Sequence, residues 1–312
     1  MATKRNNQFG LAFRLAVTVV AIFGVLLGAR PAHAQSFSFT TINLPFPEVG
    51  CGDINSNGQI VGVYFDVSGA MHAFLDNHGE LTTIDFPGAI VTVPTRIDPN
   101  GQIVGFYIDS DGVQHGYLDE DGVFSTIDFP GAIATAAIGI KPGGQSIIGF
   151  YVDSVGVEHG FLDNQGVFTT IDVPFPGATG SQLIAINPRG QIVGVYLDSS
   201  GGIHGFLDDK GVFSTVDVPF PGATFAGSLN GIEVGGLNAI NASGEIAGIY
   251  FDTSGVAHGF VDDQGVFTKV DVPFPGTTYT ALLGNNPRGQ LVGYYGNGSD
   301  ENQCFLATPR KK

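Results

Sequence analysis

The sequence predicts an all-β fold, a six-bladed β-propeller built from four-stranded antiparallel blades, and three observations carry the prediction. A short His-Gly-Phe core returns six times along the chain. Each copy holds four apolar strands cut apart by Asx-x-x-Gly turns, and the chain opens on a lone fourth strand that its last copy lacks. The copies are His72-Ala-Phe74, His115-Gly-Tyr117, His159-Gly-Phe161, His204-Gly-Phe206, His258-Gly-Phe260 and a degenerate Gln303-Cys-Phe305, with spacings of 43, 44, 45, 54 and 45. A period of that size with four strands per copy suits a blade, because each sheet is then covered on both faces by its neighbours.

Taken in order, residues 1–34 read as a Sec-type export signal. Lys4, Arg5 and Arg14 form a basic start, an apolar core follows over residues 15–28, and Ala32-His-Ala34 is a small-x-small cleavage site. Neither that core nor any later run is long enough to span a bilayer comfortably, so no stable span is expected after processing, and the address is extracellular or periplasmic. Residues 35–312 then read as one domain. Its copies fall at about 48–90, 91–133, 134–178, 179–224, 225–278 and 279–308, with a closing strand at 37–46.

One copy shows the logic of all. Strand a ends at Ile186, b covers residues 191–197, c covers 203–207 and d covers 212–218. The separators Asn187-Pro-Arg-Gly190, Asp198-Ser-Ser-Gly201 and Asp208-Asp-Lys-Gly211 are read alike, as three-residue hairpins with a bulge. Asn or Asp starts the turn and the closing Gly supplies a positive φ. Strand b, Ile192-Val-Gly-Val-Tyr196, is apolar at both alternate sets, so neither face of the sheet is meant for water. The opening Phe39-Thr-Thr-Ile-Asn-Leu-Pro-Phe-Pro47 matches the d segment Phe168-Thr-Thr-Ile-Asp-Val-Pro-Phe-Pro176, whereas the last copy stops after c. Joining them completes a single sheet and removes the open edges of the array.

The whole chain carries a net charge of −16; without the four basic residues of the signal it carries −20. Such a surface repels nucleic acid and anionic membranes. The one irregularity, residues 225–236, lies between strand d of the fourth copy and strand a of the fifth, and insertions of that kind occupy surface loops.

The ordered recurrence of G-Q-I-V-G, H-[GA]-[FY] and T-T-I-D-x-P resembles the bacterial HAF family of extracellular repeats, over residues 37–306. That resemblance implies an exported repeat protein and supplies no catalytic residue. The last copy departs from it at Gln303 and Cys304.

The candidate chemistry is sparse. His72, His115, His159, His204 and His258 invite a metal ring, but strand c lies in the body of separate blades while only strand a lines the channel. Each imidazole is therefore expected to bond a neighbouring hydroxyl or carboxylate, such as those of T-T-I-D, as a structural repeat. Asp66, Asp109, Asp153, Asp198 and Asp252 start the b–c turns on the face that also carries the d–a loops. Oxygen-rich loops suit Ca²⁺, although Asp109-Ser-Asp-Gly112 lacks the bidentate Glu of a calcium loop, and turn capping also explains these residues. The Pro-Phe-Pro segments at Pro45, Pro174, Pro219 and Pro273 either rim that face with rings or cap the core. Cys51 and Cys304 belong to the copies that meet at the seam, and a disulfide is open to them only if their Cα atoms come within about 7 Å.

No nucleophile, base and orienting acid can be assembled from the irregular charged residues, and no phosphate or zinc motif occurs. The first functional expectation is a secreted, non-enzymatic binding or surface-interaction propeller. Its acidic loop face, with Phe225 and Glu233 in the inserted segment, would meet an extracellular glycan or protein. The alternatives are an extracytoplasmic polysaccharide hydrolase or lyase with a metal at the propeller mouth, and a structural envelope protein.

Overall fold

A computed structural model describes residues 36–46, 48–225, 228–229, 232–233, 235–298 and 302–310. The segment expected to be an export signal, residues 1–34, lies outside them, and so do the side chains of residues 226–234 in the inserted segment, Glu233 among them. Six antiparallel sheets of four strands each surround a central channel, and no helix occurs among the described residues. Blade 1 shows the order: a is Glu48–Ile54, b is Ile60–Phe65, c is Met71–Asn77 and d is Glu80–Thr83. Neighbouring a strands touch around the whole ring and line the channel, so the sheets run outward from a to d.

The ring closes as a shared sheet. Phe37–Ile42 pairs antiparallel with Asn302–Pro309, from Phe37 opposite Pro309 to Ile42 opposite Cys304, and serves as strand d of blade 6. Cys51, on strand a of blade 1, and Cys304, on strand c of blade 6, form a disulfide with a Cα separation of 5.6 Å. Both cysteines are fully buried. Because the bridge joins residues 253 apart in sequence, it restricts the unfolded chain strongly, by a few kcal/mol in the chain-entropy account.

Each blade core is one aromatic ring on one glycine. Phe74, Tyr117, Phe161, Phe206, Phe260 and Phe305, the aromatic residues of the recurring motif, are all essentially inaccessible to solvent. The last Gly of G-Q-I-V-G faces them from strand b. A Cβ at Gly62 would lie 2.2 Å from the Gly50 carbonyl and 2.9 Å from the Phe74 ring, and one at Gly194 would lie 2.8 Å from Phe206. No other residue fits there without moving backbone.

Three features differ from the sequence reading. Strand d is short: it stops at Thr215 rather than 218, and the closing strand stops at Ile42 rather than 46. The next Asp explains this, because its side chain takes over the ladder: Asp85 Oδ1 accepts the Ala73 amide at 2.8 Å, and the chain then leaves the sheet. The c–d turns are also not three-residue hairpins. His78-Gly79, Asp121-Gly122, Gln165-Gly166, Lys210-Gly211 and Gln264-Gly265 all have two successive positive φ values, and Asp209 pairs directly with Val212, which makes these two-residue type I′ turns. Finally, the insertion falls inside strand a of blade 5, not before it. Thr224 already bridges Phe251, the chain then makes the small hairpin of Ser228–Leu229 and Ile232–Glu233, and pairing resumes at Gly236 opposite Ile249.

Side-chain amides join the blades at the a–b turns. Asn55 Nδ2 donates to Asp98 O, Asn187 to Asn241 O, Asn241 to Asn286 O and Asn286 to Asn55 O, while Gly143 N donates to Asp98 Oδ2. The same Asn side chains accept amides of their own turn, as Asn55 Oδ1 does from Asn57 and Gln59. One residue type thus caps the turn and fixes the neighbour.

Three departures from the repeat, Tyr117, Glu245 and Asn285, leave a buried polar atom unpaired among the described residues, and the first two generate predictions. Tyr117 stands where other blades have Phe, and its hydroxyl is buried without a partner. Tyr117→Phe should raise the unfolding free energy by roughly 1 kcal/mol, the scale of one unmet hydroxyl, measurable by urea titration. Glu245 stands where four other blades have Gln and blade 3 has Ser146. In two of them the amide bridges to an acid, Gln102 Nε2 to Glu120 and Gln191 Nε2 to Asp209 Oδ2, the latter at 3.1 Å. Burial, with the Asp263 carboxylate adding to it, pushes Glu245 up to about 7. A folded pKa above the unfolded value of about 4.5 means that the native state holds the proton more tightly, so stability falls as pH rises from about 4.5 through 7. Glu245→Gln should therefore stabilise the protein at pH 8 by about 2–3 kcal/mol and hardly at pH 4; equal effects at both pH values would contradict this.

Candidate functional site

The candidate site is built from the d–a loops and b–c turns, which emerge on one face. In the b–c turn of blade 1, Asp66 Oδ1 accepts the amides of Ser68 and Ala70 at 2.7 and 2.9 Å, which closes the turn. Its second oxygen faces His72 Nε2 at 3.4 Å. The other nitrogen, Nδ1, meets Asp85 Oδ2 at 2.6 Å. Each histidine of the repeat is thus held between two carboxylates, one from its own b–c turn and one from the end of strand d.

The arrangement recurs in five blades. His115, His159, His204 and His258 reach Asp109, Asp153, Asp198 and Asp252 through Nε2 at 3.2–3.5 Å. Through Nδ1 they reach Asp128, Asp172, Asp217 and Asp271 at 2.9–3.2 Å. In blade 6, Gln303 replaces the histidine and accepts the Tyr295 hydroxyl at 2.9 Å. The histidines stay within their own blades, so no ring of imidazoles forms, and among the described residues no group of three or more His, Cys, Asp and Glu is placed to hold a metal.

Aromatic rings tie each clamp to the blade before it. Phe46 stacks on Tyr64 with centroids 3.7 Å apart, and Tyr64 stacks on His72 at 5.2 Å. Phe86 on Tyr107 and Phe129 on Tyr151 repeat the 3.7 Å stack. The Phe of the d–a loop is therefore half-buried against the core and does not stand as a free rim. Phe225, read from the sequence as ligand-facing, is instead buried, 6.1 Å from the Phe260 ring in the blade 5 core. The reason is the position of the insertion inside strand a, which turns this residue inward.

Between blades this layer opens into clefts. One, of about 210 Å³, lies between blades 3 and 4 and is lined by Glu158, His159, Asp172, Thr179 and Ser181. Another, of about 280 Å³, lies between blades 5 and 6 and is lined by His258, Asp271, Phe274, Thr278 and Tyr279. They use equivalent positions of different copies. The strand-end carboxylates there, Asp172 and Asp271, are 44% and 33% exposed, so they face the cleft as well as the histidine. Gln182 Nε2 donates to Glu158 Oε2 at 2.7 Å across the first cleft.

Electrostatics follow from this geometry. The carboxylates beside His72 raise its pKa, the Asp85 hydrogen bond most of all. For His115, His159 and His204 burial is the largest single influence and works downward, but the two carboxylates together outweigh it, so each pKa is raised. The turn aspartates are held low, Asp66, Asp198 and Asp252 chiefly by Ser hydroxyls and Asp109 and Asp153 chiefly by turn amides. An imidazole engaged at both nitrogens is a poor general base.

Two site residues were not visible as a pair. Asp53 and Arg96 occupy one layer of the channel wall, where other blades have Gly139, Ala185, Ala239 and Gly284. Only alignment of the six a strands, residue by residue, signals them.

A raised histidine pKa contributes stability that is complete below the unfolded value of about 6.5 and is lost as pH rises through the folded pKa. His159→Gln should therefore lower the melting temperature clearly at pH 5.5 and much less at pH 9. The same drop at both values would remove the charged clamp from the account.

No protein-family model matches the chain, and no curated protein matches it. Solved structures do share its fold. A mutant lectin of Aleuria aurantia, in complex with Fucα1-6GlcNAc, is 13% identical with a TM-score of 0.52, over 86% of this chain and 93% of that one. A mutant of AofleA from Arthrobotrys oligospora is 10% identical with a TM-score of 0.52, over 88% and 86%. TolB from Acinetobacter baumannii is 13% identical with a TM-score of 0.52, over 87% and 66%. What these likenesses establish for the chain is the propeller architecture.

Proposed function

We propose that the protein is an exported, non-enzymatic binding propeller that takes carbohydrate into the clefts between its blades. The observation that carries this reading is the recurrence of one polar cleft at equivalent blade junctions, above clamps present in five blades. A sugar ring needs acceptors and donors for its hydroxyls and an apolar surface for its C–H face. Partly exposed carboxylates, Thr and Ser hydroxyls and the rings of Phe274 and Tyr279 offer both. The clefts are smaller than the roughly 300–1,000 Å³ of drug-sized sites, which suits a single ring. Weak single-site binding is multiplied when several clefts engage one branched or surface-bound ligand.

The likeness to lectins, one of them carrying a fucosylated disaccharide, supports the ligand class. With both imidazole nitrogens engaged, the clefts favour retention over turnover. Export rests on residues 1–34, and the buried disulfide suits an oxidising compartment.

A glycan array probed with the intact protein, with Ca²⁺ and with chelator, tests this reading. Retention of neutral glycans without product is expected, weakened in Asp172→Asn and Asp271→Asn. Product release would favour the polysaccharide hydrolase or lyase, and no retention on any glycan would favour a structural envelope role.

A further inference from the structure

The channel holds a place of different chemistry. In the layer formed by Asp53, Arg96, Gly139, Ala185, Ala239 and Gly284, four members carry at most a methyl and two carry opposite charges. Gly284 makes room for the acid: a Cβ there would come within 2.7 Å of Asp53 Oδ1. Asp53 spends Oδ2 on the Ile97 amide at 3.1 Å and borders the smaller space at the a–b turns, about 80 Å³. Arg96 borders that space and also a larger vestibule of about 260 Å³ toward the d–a loops.

Among the described residues that line the vestibule, Arg96 is the one that carries a charge. Val63, Ile138, Ile184 and Leu283 make its walls apolar, and Gly50 and Gly52 widen it. The Thr95 hydroxyl is committed to the carbonyls of Val104 and Ala137, and the Asn238 amide nitrogen to Leu282 O. Among the described residues the guanidinium donates to Thr95 O alone, and no carboxylate lies within 4 Å of it, the Asp53 charge acting on it from across the layer. A half-buried guanidinium with several donors unspent, at the floor of an apolar cavity, is set to receive an anion.

We propose that this vestibule binds a small monocarboxylate with an apolar body, its carboxylate on Arg96 and its hydrocarbon part against Ile138, Ile184 and Leu283. The guanidinium fork matches a carboxylate in two parallel hydrogen bonds, and the apolar wall selects against a bare inorganic ion. This site is separate from the interblade clefts and does not depend on their ligand.

Calorimetric titration of the full chain with benzoate, benzyl alcohol and inorganic phosphate tests the proposal. Benzoate should bind at least about tenfold more tightly than either of the others, since a charged hydrogen bond lost is worth about that factor. Arg96→Gln should weaken benzoate by about tenfold or more. Gly52→Leu should block it while leaving the fold intact, because Gly52 has no positive φ and a Cβ there meets only Pro94 O at 3.5 Å and Val61 O at 3.7 Å. No benzoate binding, phosphate binding equal to benzoate, or unchanged binding in either folded variant would overturn the site. If Arg96→Gln fails to fold by circular dichroism, Gly52→Leu decides.

Discussion

Everything in this molecule depends on the pairing of its first strand with its last. Phe37–Ile42 completes the sheet that Tyr279–Asn285 begins, and without it blade 6 would present an unpaired edge and blade 1 an uncovered face. Because each blade buries its aromatic core only against a neighbour, the ring is cooperative: a gap at the seam exposes core on both sides. The buried Cys51–Cys304 bridge sits at that junction, where chain continuity cannot hold the blades together.

Away from the seam, the blades are held by two different chemistries on two faces. The a–b face uses neutral amides, with Asn55, Asn187, Asn241 and Asn286 each capping a turn and donating to the next blade. The opposite face uses rings and charge: a loop Phe on the neighbour's Tyr, that Tyr on a His, and the His between two carboxylates. The asparagine amides do not titrate, whereas the charged clamps do, and on the a–b face Glu245 adds a pH-dependent group of its own. The clefts therefore lie on a face whose order depends on protonation.

The repeat separates scaffold from specialisation. Gly62 and Phe74 have their equivalents in every blade because the core takes an aromatic ring only against a glycine, and the His–Asp clamp recurs in five blades because one geometry sets their junctions. Departures are of two kinds. Tyr117 and Glu245 keep the shape of the residue they replace and leave an atom unmet. Asp53 and Arg96 replace nothing larger than a methyl and alter the one space shared by all six blades, which is why the channel can hold a chemistry that the clefts lack.

The architecture is legible along the chain. The period of the His-Gly-Phe motif, the alternation of apolar runs with Asx-x-x-Gly turns and the orphan strand at residue 37 are local signals, and a closed ring is the one arrangement that buries both faces of every copy. The motif also placed His72 and its equivalents on strand c, close to the Asp that follows strand d, because register follows from turn length. Folding had to supply whatever draws on two blades at once: the Phe46–Tyr64 stack, the asparagine belt, the bridge of Cys51 to Cys304, and the meeting of Asp53 and Arg96 in the channel. It also turned Phe225 inward, since an insertion within a strand and one before it look the same along the chain. Contacts across a junction depend on the angle between neighbouring sheets, a quantity that no residue spacing encodes.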